Sequence, residues 1–393
     1  MMSSTLRCLA LLAGLSLAMP ARASSVEQLP LPVGCQVVQR TDAAGRAVDA
    51  AEPAFPPVQL EVRTPFAPSA FSAGGYRYLV YELQLQNRSE DALHINALDI
   101  LASTPDGDDR LLTVSGNTLR DQMSLVGGGA IDAAHTLQAG RAATVFLCIA
   151  LNEASPVPER LVHRIALDGA AAEGPEVGTR HGVVKVLSSP VRGSHWLADN
   201  GLALDRHHRP GVFVAGGVAQ TSRRYAIDWK RRIDGELLKG DPRDVRSYHA
   251  YGQPVFAVAD ATVVEARGGF PDNIPRTSAG FTPAVPLSME SLAGNSVVLD
   301  LGEGQFAHYA HLQPGSVTVK AGQRVRRGEP LANIGNSGDA RWPHLHFQVT
   351  TGPGIMSSEG VPFVLDHFRI REPSGKWEAR HTEFPLPEHE LDF

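Results

Sequence analysis

The sequence predicts a mainly β protein: an N-terminal sandwich-like unit followed by a small antiparallel, barrel-like one. Three observations predict this. Apolar and polar residues alternate in short runs, with no helical period of comparable strength. The 38 Gly and 28 Pro supply turns at close spacing. The length, 393 residues, is enough for two domains at about 150 residues each.

Hydrophobic content of 43% and charged content of 20% are those of an ordinary globular protein. The formal net charge is −6, and no basic footprint of a nucleic-acid binder is present. Arg7 forms a positive n-region, Leu9 to Met19 is apolar, and Ala21-Arg22-Ala23 is an A-x-A cleavage site. Residues 1–23 therefore read as a secretory signal peptide, too short for a membrane span. The expected product is exported, periplasmic or extracellular, with no span after cleavage. Cys8 stands too early in the apolar run for a lipoprotein anchor. Cleavage leaves Cys35 and Cys148 as the remaining cysteines. In an oxidising compartment they are candidates to pair, a question that only geometry decides.

Residues 24–57 are rich in Pro and Ala without a period and read as an extended lead-in. The sandwich-like domain is expected over 58–185. Val58, Leu60 and Val62 alternate with polar residues, as do Tyr81, Leu83 and Leu85 with Glu82, Gln84 and Gln86, up to a turn at Asn87-Arg88-Ser89. Leu93 to Leu101 continues the pattern, Ala143 to Leu151 is nearly all apolar, and Arg160 to Leu167 alternates again. Strands at this spacing suggest a small antiparallel sandwich. His94, His135 and His163 are isolated and read as surface or structural residues, and the domain as a spacer or recognition module.

A Gly-, Ala- and Ser-rich stretch at 168–190 marks the boundary, and the second domain is expected over 190–372. Short β segments separated by Gly turns make its skeleton, as in AGQRVRRGEPLA. Two long insertions, Lys230 to Ala250 and Gly268 to Leu292, leave strands that lead towards the histidines, and are read as walls of a substrate cleft. The tail, 373–393, is either a closing strand or a disordered end.

The chemistry-bearing stretch is WPHLHFQV, Trp342 to Val349, with FAHYAHL upstream. Side chains two apart share a face of a strand. His344 and His346 can therefore converge on one metal ion or its water, which a single histidine cannot do.

The order YAIDW, GxPVxAVADAxVVEA, GNxVxLDLGxGxFAxYAHL, VxxGxxVxRGxxLAxIGNSG and PHLHF resembles the lysostaphin-type, or LytM-like, zinc metallopeptidases. The resemblance covers about residues 195–370. It implies one Zn2+ per chain, held by a His, an Asp and the second His of HxH, and a substrate among the peptides of peptidoglycan. Residue by residue, it makes Asp228 and His346 metal ligands and His311 and His344 the catalytic imidazoles. The chemistry agrees with these residue types, since a catalytic zinc keeps three protein ligands and one open position, and imidazoles move protons at neutral pH. His308, three residues before His311, would point to the opposite face of a regular strand and reads as structural.

One position departs from the pattern. The family's first ligand usually lies four residues before the Asp, and here that residue is Arg224, which has no lone pair to offer. Two readings stay open. In one, His208 of the His207-His208 pair supplies the ligand, because PGVFVAGGVAQ resembles a hairpin turning near Gly216-Gly217 that would return His208 to Asp228. In the other, the site is degenerate and the domain activates a cell-wall amidase, as some LytM-like domains do. His249, in the charged insertion, is a weaker ligand candidate.

Overall fold

The computed structural model describes residues 28–38, 58–179, 182–372, 374–387 and 389–393. The expected signal peptide and most of the lead-in lie outside the described residues. Among those described, no helix is long and apolar enough to cross a membrane.

The first unit holds β1 (Gln36–Val37), β2 (Leu60–Arg63), β3 (Phe71–Ala73), β4 (Tyr76–Asn87), β5 (Leu93–Thr104) and β6 (Gly107–Ser115). A short helix, α1 (Gly116–Gln122), leads to β7 (Met123–Leu125), β8 (Thr136–Leu137) and β9 (Ala142–Asn152). Then come β10 (Arg160–Leu167), β11 (Ala170–Glu173) and β12 (Val177–Gly178). They form two six-stranded sheets, one built on β4 and β9 and the other on β5 and β10. The apolar residues read from the sequence, including Leu83, Leu85, Leu98, Ile100, Val145 and Ile165, fill the core between them. Cys35 and Cys148 form a disulfide that ties the described lead-in to β9, with Cα atoms 4.4 Å apart.

The second unit runs through β13 (Lys185–Leu187), β14 (Trp196–Asn200), β15 (Phe213–Ala215), β16 (Val218–Gln220) and β17 (Ile227–Arg231). It continues with β18 (Pro254–Phe256), β19 (Ala261–Arg267), β20 (Asn295–Asp300), β21 (Phe306–Leu312), β22 (Arg324–Val325) and β23 (Pro330–Asn333). The last strands are β24 (Leu345–Thr350), β25 (Phe363–Arg371), β26 (Trp377–Glu383) and β27 (Glu390–Asp392). Eleven of these make one sheet, in the order β13-β25-β27-β14-β17-β24-β21-β20-β19-β22 with β26 beside β25. Among the described residues no pairing joins the ends of this sheet, so the barrel-like unit is an open, mainly antiparallel sheet. The tail is structural: β27 pairs with both β25 and β14.

Alternation along the central strands sorts their side chains. Ile227, Trp229, Leu345, Phe347, Ala307 and Tyr309 enter the core, so Asp228 and His346, opposite one another in the β17–β24 ladder, lie on the other face. The strand β4 has two buried faces. Leu79, Tyr81 and Leu83 pack inside the sandwich, while Tyr78 and Val80 join the core of the second unit. The polar face expected at Glu82 is therefore covered, and Glu82 is 4% exposed.

Candidate metal centre

Five of the predicted residues meet at one end of β17 and β24. Asp228 is buried, and one carboxylate oxygen, Oδ1, is the focus. His346 Nδ1 lies 3.0 Å from it, His344 Nε2 3.3 Å and His208 Nε2 3.5 Å. The His311 ring stands 4.9 Å from that of His344 and 5.8 Å from that of His346, centroid to centroid. The other Asp228 oxygen accepts a hydrogen bond from Asn200 Nδ2 at 2.5 Å.

The local sequence accounts for each placement. The strands β15 and β16 form the expected hairpin, with Ala215 opposite Val218 and both Gly216 and Gly217 at positive φ. That pair of left-handed residues suits a tight two-residue turn, which glycine enters without strain. The hairpin returns the chain so that His208 stands beside Asp228. His207, exposed, also stays close: ligand atoms of His207, His208 and Asp228 all lie within 4.8 Å of one another.

The expectation that His308 and His311 face opposite sides corrects here. Between Asn295 and Val297 of β20 the facing strand β21 advances from Leu312 to Tyr309, three steps against two. His311 takes a φ of 64°, a left-handed value that costs on the order of 1 kcal/mol outside glycine. This irregularity turns His311 onto the face of His346. His308, opposite Gln348, shares that face but is buried and bonded to Thr350 Oγ1 at 2.7 Å, a structural role.

The outer nitrogens define the tautomers. His208 Nδ1 donates to Ala226 O at 3.1 Å, His344 Nδ1 to Trp342 O at 2.7 Å, and His311 Nδ1 to Ser337 O at 2.9 Å. A carbonyl only accepts, so each of these nitrogens carries the proton. His346 Nε2 meets Gln348 Oε1 at 2.8 Å, and Gln348 Nε2 is committed to Ile355 O. In the neutral rings the inward nitrogens are then lone pairs. Burial depresses the His208 and His311 imidazoles well below their usual range, which favours neutral rings. At Asp228 burial pushes the carboxyl up, but the charge that His344 and His208 carry when protonated outweighs it, and the carboxyl is held well below its usual range.

Three lone pairs facing one carboxylate oxygen is an arrangement that repels itself unless a cation sits among them. The donor set, two or three imidazoles and one carboxylate, is that of zinc sites, and each imidazole is oriented through its far nitrogen as ligating histidines are. The residues therefore fit a zinc ion.

Arg224 is not in this cluster, and its guanidinium is buried against Glu82 and Glu359. His249 does not line the cleft. The cleft, about 450 Å³, is lined by the histidine cluster and by Arg223, Lys230, Arg276, Leu292, Arg341 and Met356, among others. The second insertion thus forms a wall, whereas the first contributes only Lys230. Asn200 and Gln348 escaped the sequence reading. Gln348 carried a signal, standing two residues after His346 on one strand face; Asn200 carried none.

The sequence model described as Peptidase family M23 matches residues 245–357. Among curated proteins, Peptidoglycan DD-endopeptidase ShyA of Vibrio cholerae serotype O1 is 30% identical over 145 residues, 36% of this chain and 31% of that protein. Cell division protein DipM of Caulobacter vibrioides is 37% identical over 62 residues, 16% of this chain and 10% of that protein. The alignments thus span less than a third of either relative. Among solved structures, the catalytic domain of lysostaphin from Staphylococcus simulans aligns at 21% identity and a TM-score of 0.23, covering 38% of this chain and 83% of that one. Residues 245–357, within the second unit, thus match Peptidase family M23.

Proposed function

We propose that this protein is an exported zinc metalloendopeptidase that hydrolyses peptide bonds in the stem peptides or cross-links of peptidoglycan. The observation that carries the reading is the convergence of His208, His344 and His346 lone pairs on Asp228 Oδ1. His208, Asp228 and His346 would hold the ion, with one zinc per chain. When bound, zinc supplies a Lewis acid that polarises a carbonyl and lowers the pKa of water.

The other steps belong to the chain. His311 and His344 each offer an inward nitrogen whose partner nitrogen is fixed on a carbonyl. One can accept the proton of the attacking water, and the other can deliver a proton to the leaving amine. Apolar Leu292, Ala293, Ile355 and Met356 line the same cleft and exclude bulk water around these groups, which strengthens the electrostatic interactions there. The substrate class follows from the similarity to Peptidoglycan DD-endopeptidase ShyA. Export is supported by the N-terminal leader pattern and by the Cys35–Cys148 disulfide, which an oxidising compartment sustains.

Arg224 in the usual ligand position favours the second reading, a degenerate module that activates a peptidoglycan amidase. Metal analysis and digestion of purified peptidoglycan separate the two. The expected result is one zinc per mature chain with release of peptide fragments, both lost in His346→Ala. A wild-type chain without zinc that digests nothing, yet stimulates an amidase, would replace the first reading by the second.

A further inference from the structure

The segments that bring His208 and Asp228 together each carry a fully buried arginine that points away from the cleft. Arg209 follows His208, and Arg224 precedes Asp228 by four residues. Both reach the sandwich. Arg209 Nη2 donates to Leu147 O of β9 at 2.7 Å, and Nη1 to Leu202 O at 3.2 Å. Arg224 Nε lies 3.1 and 3.0 Å from the two Glu82 oxygens, and Nη2 donates to Glu82 Oε2 at 2.6 Å. Nη2 also reaches Glu359 at 2.8 Å, and Nη1 reaches Gly360 O at 2.8 Å. Next to Arg224, Tyr225 donates to Val80 O of β4 at 3.0 Å, and its ring meets the edge of Phe71 at 5.5 Å.

Two glycines show how tightly these segments are held. A Cβ on Gly360 would stand 2.6 Å from Ser222 O. A Cβ on Gly211 would stand 3.0 Å from His207 O and 3.1 Å from His208 O. The His207–Gly211 turn is thus wound tightly on itself, and the Thr221–Ser222 backbone runs directly against Gly360. A buried Glu82 has no role inside the sandwich, whose own core is apolar; unpaired, its charge would be costly there.

We propose that the N-terminal sandwich is a working part of the metal centre, with Glu82 and the Val80 and Leu147 carbonyls as positioning groups that clamp the two ligand-bearing segments at metal-binding distance. In this chain the family's local ligand position is occupied by an arginine, and the substitute ligand arrives from a separate turn. The register between turn and strand is then set from outside, by β4 and β9. The sandwich is accordingly a fixed scaffold at this face rather than a detachable recognition module. This inference rests on the zinc reading given above.

The test uses the full mature chain and reads zinc affinity by competition with a fluorescent chelator, with circular dichroism and thermal melting of the zinc-free protein alongside. Glu82→Gln and Arg209→Met are expected to raise the zinc dissociation constant by about tenfold or more, the range for lost outer-shell support. Tyr225→Phe, which removes one hydrogen bond and little else, is expected to raise it measurably and covers the case in which Glu82→Gln fails to fold. Ile165→Ala, in the sandwich core and outside the core that the second unit shares with β4 and β9, is expected to lower the melting temperature and leave zinc affinity unchanged. Wild-type affinity in a folded Glu82→Gln or in Tyr225→Phe would overturn the clamp, as would an Ile165→Ala loss equal to that of Glu82→Gln. A wild-type chain that binds no zinc would instead overturn the metal reading, and the clamp with it.

Discussion

His208 Nε2 faces Asp228 Oδ1 across 3.5 Å, while its Nδ1 is committed to the carbonyl of Ala226. Two acceptors in such a contact suit a cation between them, and on this contact rests the proposal that His208 is a ligand where Arg224 cannot be one.

Removing that residue should remove the ion. In His208→Ala, zinc affinity should fall by more than the roughly 10–100-fold typical of losing an outer-shell partner. His207→Ala and His249→Ala should keep one zinc per chain, as read by metal analysis after dialysis. Retained zinc in His208→Ala would refute the assignment.

The cleft also predicts a preference for anionic peptides. Lys230 pairs with Asp199 and Arg341 with Asp339, which leaves Arg223 and Arg276 without an ion pair among the described residues. Substrates carrying a free carboxylate should therefore show a KM about tenfold higher with Arg223→Met or Arg276→Met, the scale of one charge-assisted hydrogen bond, and a nearly unchanged kcat. Equal KM values for carboxylate and amide forms of one peptide would argue against it.

Stability should respond to acid through a buried histidine remote from the site. Burial pushes the His163 imidazole down to about 4 from a usual 6.5, and its Nε2 lies 2.8 Å from the Tyr81 hydroxyl. Between those two pH values the unfolded chain binds a proton that the folded chain refuses. Stability is therefore full above about 6.5 and is lost as pH falls towards 4, by up to about 3 kcal/mol for this group. Urea titrations of zinc-free protein should show a shallower loss over that window in His163→Gln. Parallel curves would exclude the contribution.

The disulfide closes a loop with a sequence separation of 113, which by chain entropy corresponds to about 5 kcal/mol of stabilisation. Calorimetry of Cys35→Ala/Cys148→Ala should show a lowered melting temperature. Because Cys148 lies on β9, beside the Leu147 carbonyl that holds Arg209, the zinc affinity of this variant should also fall.

The sequence by itself determined the strand character of both units, the hairpin before Asp228, and the candidacy of Asp228, His311, His344 and His346. These rest on local patterns: alternation sorts faces, glycine pairs make turns, and two histidines on one strand face converge. Only the tertiary structure decided three matters. It brought the His208 ring, which the sequence offered in place of Arg224, to 3.5 Å from Asp228, because the approach of two segments 20 residues apart depends on how a hairpin folds back. It put His311 on the site face, because an extra residue in β21 overrides the two-residue period. It buried Glu82 on the polar side of β4, because the partner that covers that face, Arg224, lies 142 residues further along the chain. Local sequence reports what a residue can do, and long-range packing reports what it meets.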